Sequence, residues 1–87
     1  MDGNSRALAV LDALIANAEA KVISAEKEHA EALDMMPNYR DQDDVAYVDE
    51  RRSETGAEVY AAKAVADALS EARHELWLIS LTQETAA

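Results

Sequence analysis

Glu26 and His29 stand three residues apart in the stretch Ala25–Leu33, "AEKEHAEAL". Residues at that spacing share one face of a helix, so a carboxylate and an imidazole could reach the same metal ion. A second pair with the same spacing occurs at Glu71 and His74. Neither pair has a thiol beside it, because the chain contains no cysteine. Disulfides and thiolate metal sites are thereby excluded.

The string "EKEHA" resembles one half of the Glu-x-x-His ligand motif of ferritin-like di-iron proteins, over about nine residues. That resemblance implies a helical bundle with inward carboxylates around two metals. The spacing of the neighbouring residues opposes it. His29 falls on the apolar seam of the first helix, whereas His74 lies two positions from both Ala72 and Leu76. Two positions turn a helical residue by about 200°, so the two pairs would not converge on one point. His29 therefore reads as a seam histidine, His74 as a solvated surface residue, and no metal ligand or cofactor is assigned.

No other pattern supports catalysis. Ser5, Ser24, Ser53 and Ser80 have no nucleophile elbow around them. There is no glycine-rich phosphate loop, and an alanine-rich two-helix interior leaves little room for a substrate cavity. The segment Asp41–Glu50, "DQDDVAYVDE", holds five acids but lacks the glycine and the spaced final glutamate of a calcium loop. The expectation is a protein that is not an enzyme.

The elements that carry these residues follow from periodicity. Leu8, Leu11, Ile15, Ala18, Val22, Ala25, His29, Ala32 and Met36 alternate three and four apart, as in the seam of a coiled coil. This predicts a first helix from about Arg6, capped by Asn4 or Ser5 and ended near Met36 by Pro37. Residues 37–43 form the turn, and Asp41 or Asp43 caps a second helix running from about Asp44 to about Leu81. Residues 1–4 and 82–87 read as frayed ends of a single domain spanning 1–87.

Gly56 is the weak point of the second helix, costing about 1 kcal/mol against alanine in a helix interior. Thr55 and Glu58 have capping-box spacing, so a new helix could start there. One long, bent helix is the favoured alternative. Beyond Gly56, Ala62, Val65, Leu69, Ala72, Leu76 and Ile79 form the expected inner seam. Ala62, Ala66, Arg73, Trp77 and Leu81 form a neighbouring one.

The fold class is thus all-α: an antiparallel helical hairpin. Its bulky residues concentrate at the end away from the turn, where Ala7, Val10 and Leu14 widen the stripe of the first helix. A helix with more than one apolar seam has more than one neighbour, and two hairpins packed as a four-helix bundle supply it. The expected homodimer interface is Val10, Leu11, Leu14, Leu69, Leu76, Trp77 and Leu81. Trp77 reads as bundle core there, or else as an exposed hot spot.

The formal net charge of −10 disfavours direct contact with nucleic acid or anionic membrane and favours a basic protein surface. Acidic polar faces also oppose membrane-surface binding by an amphipathic helix. With no signal-like start and no apolar run of spanning length, the expected location is the cytoplasm. Asp41, Asp43, Asp44, Tyr47, Asp49 and Glu50 form the candidate partner-binding patch, with helix capping plus a solvated acidic face as the plainer alternative. Tyr39 and Tyr47 flank the acids as amphipathic anchors.

The function expected from these features is protein–protein interaction. The first choice is an inhibitor or adaptor docking on a basic partner, a nucleic-acid-binding protein being one such. In size and charge alone the chain is similar to phage-encoded anti-defence (anti-CRISPR-like) proteins. The alternatives are a structural coiled-coil scaffold module and, behind it, a ferritin-like metal-binding protein.

Overall fold

A computed structural model describes the backbone of residues 3–86 and the side chains of residues 3–83. The expectations for Met1, Asp2 and Ala87 lie outside the described residues. Two helices, α1 (Gly3–Asp34) and α2 (Gln42–Ala86), account for all of the described residues but the turn between them. They lie antiparallel in a rod of 72 × 16 × 14 Å. Register is read from the pairs that bridge them: Asn4 with Gln83, Asp12 with Arg73, Glu26 with Lys63, His29 with Thr55.

The helices form where the sequence pattern places them, with shifted ends. Helix α1 begins at Gly3, so Asn4 and Ser5 lie inside its first turn instead of capping it. It stops at Asp34, two residues before the expected Met36. The residue before a proline is pushed out of helical geometry, and here the departure from helix begins earlier still. As a result Met35 is the methionine that turns inward, while Met36 is 80% exposed. Helix α2 runs unbroken through Gly56 and on to Ala86, past the expected stop near Leu81.

The turn is closed by side-chain hydrogen bonds. Asp41 caps α2, its Oδ1 accepting the backbone N–H of Asp43 at 3.0 Å and of Asp44 at 3.4 Å. The Asp44 carboxylate accepts the N–H of Asn38 at 2.6 Å, and Asn38 Oδ1 accepts that of Arg40. Asp43 and Asp44, in the first turn, complement the positive end of the helix dipole.

The interior is narrow. Ala18, Ala25, Ala32, Val48 and Thr55 are the buried residues among those described. Small side chains let the two axes approach closely, but each contributes little area to the core.

The inner seam of α2 differs in part from the expected one. Val45, Val48, Arg52, Thr55, Val59, Ala62, Ala66, Leu69, Arg73, Leu76 and Ser80, at three-four spacing, are its covered positions. Ala62, Leu69 and Leu76 hold. Val65 and Ile79 are 56% and 51% exposed, and Ala72 is also exposed. The physical reason lies near the turn, where Arg52 and Thr55 make specific bonds to α1. Those bonds set the rotational phase of α2, and an unbroken helix carries that phase to its far end.

Candidate functional site

His29 of α1 and Thr55 of α2 meet in the seam. Thr55 is completely buried, and its single hydroxyl proton goes to the carbonyl of Arg51, 2.7 Å away. With the hydroxyl proton so placed, the Nδ1–H tautomer of His29 donates to Thr55 Oγ1 across 2.8 Å. Gly56 completes the arrangement. A Cβ built there would stand 3.3 Å from His29 Cε1, so the bare glycine backbone makes room for the imidazole. The Thr55–Glu58 capping box does not form, since the hydroxyl that would cap a new helix is bonded one turn back.

Glu26 does not share this environment. Its carboxylate is 3.6 Å from Lys63 Nζ, at the exposed surface. The two members of the Glu-x-x-His pair thus have different protein partners, one ionic and one hydroxylic. His74 stands on the outer side of α2, stacked on Trp77 with ring centroids 6.0 Å apart. Around it, Asp67, Ser70, Glu71 and Glu75 line a shallow open depression. Among the described residues no three or more histidine or acidic side chains are grouped to hold a metal ion.

At the turn, Arg52 does work that the sequence reading missed. Its guanidinium donates to the carbonyls of Ala32 (3.3 Å), Leu33 (3.4 Å) and Met35 (2.9 Å). These are among the last carbonyls at the C-terminal end of α1, which has no basic residue in its own last turn; that of Ala32 also accepts the N–H of Met35 at 3.2 Å. The acidic patch is divided in the same region. Asp41 and Asp44 are engaged in the turn, whereas Asp43, Asp49 and Glu50 are exposed beside Tyr47. Tyr39 and Met36 are exposed at the same tip.

Both flanks of the rod carry exposed large apolar side chains: Ile23, Leu33, Tyr60, Trp77 and Leu81 on one, Val10, Leu14, Tyr47, Val65 and Ile79 on the other. Residues that directly follow a seam position, such as Asp12, Glu26 and Lys63, border one flank. Asp12 accepts a 2.8 Å bond from Arg73, and that bond, with the attraction of the guanidinium charge, holds its carboxyl below the usual carboxylate range. Residues that directly precede a seam position border the other flank. There α1 contributes Ala7 and Leu14, with Val10 beside them, and α2 contributes Val65, Ala72 and Ile79. Val10 and Leu14 are exposed, and a shallow, mostly apolar groove runs along Gly3, Arg6, Ala7, Val10 and Leu11.

The residues expected at a dimer contact are accordingly split. Leu11, Leu69 and Leu76 are half-buried in the seam of a single hairpin. Val10 and Leu14 lie on one flank, while Trp77 and Leu81, each 41% exposed, lie toward the opposite side of α2. Val65 and Ile79 join the exposed set, each seven residues from Ala72 and so on one stripe with it.

No protein-family model, curated protein or solved structure matches this chain. Among the described residues, no helix is long and apolar enough to cross a membrane. The fold and site define an all-α helical hairpin with a narrow, alanine-rich interior and large apolar side chains exposed on both flanks.

Proposed function

We propose that the chain is a non-enzymatic protein–protein interaction module of the cytoplasm. It associates with a second copy through the apolar open end of the hairpin. It presents its acidic turn to a basic partner protein, as an inhibitor or adaptor. The reading rests on one observation, the separation of two surfaces along the rod. Large apolar side chains are uncovered away from the turn, and free acids stand beside exposed tyrosines at the turn. Contiguous exposed apolar surface marks interaction sites, and an acidic surface steers a basic partner.

The test uses Asp43, Asp49 and Glu50, which serve no bond within the turn. Partners captured from the native cell on the intact chain should be released as salt rises, and should be lost with the D43N/D49N/E50Q variant. Capture that ignores both changes would refute the docking role. A scaffold module is the second reading, favoured by the same uncovered apolar side chains. It would be supported if L14E ended self-association and the acidic triple variant had no effect on any complex.

A further inference from the structure

We infer that the His29–Thr55–Gly56 contact and the Arg52 clasp together select the register of the hairpin. They hold it against a slide of α2 by seven residues along α1, which the rest of the seam permits.

The seam repeats itself. On α1 the buried Ala18, Ala25 and Ala32 stand seven apart. On α2 the covered Val48, Thr55, Ala62, Leu69 and Leu76 do the same. A slide of one heptad therefore lays seam on seam, with every side chain on the face it already occupies. Alanines discriminate weakly between the sites they fill, since each buries little area. Nor does the slide shorten the contact between helices. Helix α1 has 32 residues and α2 has 45, so α1 meets α2 along its whole length in either register. The start of α1 moves from Gln83 to the neighbourhood of Leu76, which releases the buried, unpartnered hydroxyl of Ser80 to water.

Only one direction is open. Sliding the other way carries the start of α2 about 10 Å further from the end of α1. The connector, residues 35–41, would then be drawn nearly straight, and Pro37 prevents α1 from growing to relieve it. In the permitted direction the start of α2 comes level with the end of α1, within reach of the same connector.

What opposes the permitted slide is polar. His29 would exchange Thr55 and Gly56 for Val48 and Asp49. The valine offers no acceptor, and position 49 carries a side chain where Gly56 leaves room for the ring. Thr55 would face Val22. The Arg52 guanidinium would leave the carbonyls of Ala32, Leu33 and Met35 for the middle of α1, where carbonyls already accept intrahelical bonds. Polar residues in an apolar seam fix register in coiled coils by the same means. The pairs Asp12–Arg73, Glu26–Lys63 and Asn4–Gln83 would also part, but exposed pairs contribute little.

The chain has no cysteine, so spin labels on A9C and S53C, both exposed positions, report the register by double electron–electron resonance. Excess unlabelled chain restricts the reading to distances within one molecule. With Asp12 beside Arg73, Ala9 is offset from Ser53 by about 35 Å along the rod, and the slide reduces this to about 24 Å. The intact chain should give one distance. H29A/R52A should add a second population about 10 Å shorter, with helicity retained by circular dichroism. H29A/R52Q, which keeps a donor at position 52, should add the same population in smaller amount, and reads the register if H29A/R52A unfolds. A second population in the intact chain would overturn the proposal. So would a single unchanged distance in helical variants, or a population displaced to longer distance. Loss of helix in both variants would overturn it as well, because no slid register would then be stable.

Discussion

A methyl group on Gly56 would stand 3.3 Å from Cε1 of His29, closer than nine in ten real contacts of that kind. The glycine in the middle of α2 and the histidine in the middle of α1 are therefore one structural unit. Replacing Gly56 by alanine gains about 1 kcal/mol of helix propensity and makes the imidazole give way slightly, against its bond to Thr55. We predict that G56A is neutral or destabilising by about 1 kcal/mol in the intact chain, because a buried bond is disturbed. In an H29A background the same change should stabilise by about 1 kcal/mol. Urea unfolding of the four chains gives the coupling directly. Equal effects in both backgrounds would show that the two residues are independent.

Thr55→Val keeps the shape and removes the acceptor for His29. The loss should be about 1–3 kcal/mol, the range for leaving a buried polar group unpaired. An unchanged unfolding midpoint would mean that the imidazole finds another partner at no cost.

Arg52 serves three carbonyls at the end of α1. R52A should destabilise by about 1.5–3 kcal/mol, as expected for hydrogen bonds to a charged donor. R52K should recover less than half of it, since an ammonium cannot reproduce the planar fork. Amide exchange in Glu31–Asp34 should accelerate in both variants. Exchange confined to other segments would count against the capping role.

Ser80 places its hydroxyl in the open end of the seam, buried and without a hydrogen-bond partner. S80A should stabilise by about 1 kcal/mol, read as a shift in urea midpoint with no change in slope. A destabilised variant would show that the hydroxyl is satisfied in solution.

The Asp12–Arg73 pair has a definite pH signature. The hydrogen bond and charge of Arg73 hold the Asp12 carboxyl below its ordinary value. Its stabilisation is therefore complete above the unfolded value, near pH 4, and is lost as pH falls through the lower folded value. The difference in stability between the intact chain and D12N should be constant from pH 5 to 7 and shrink below pH 4. A difference that grows on acidification has the wrong sign for this pairing.

The hairpin itself was legible because α1 displays an almost unbroken apolar seam and because Pro37 and the acids after it mark the turn. The phase of α2 was harder to read. Its inner positions include Arg52, Thr55, Arg73 and Ser80, which score as surface residues until their partners are known. Arg52 and Thr55 are satisfied by atoms of α1 some twenty residues or more away in sequence. Arg73 lays its stem on the seam and sends its head to Asp12. Large apolar side chains drew the expected seam toward Val65 and Ile79, which instead border an uncovered flank. The Glu-x-x-His spacing correctly placed two residues on one side of α1. It could not show that one would bond a threonine and the other a lysine.

The Arg52 clasp also bears on synthesis. The acceptors at Ala32, Leu33 and Met35 receive their guanidinium only from a residue 17 to 20 places further along the chain. Until Arg52 has been added, the Leu33 and Met35 carbonyls can turn only to water, and that of Ala32 has just the N–H of Met35. Closure of that turn must wait until the second rod has begun to fold back, which ties the finish of one element to the birth of the next.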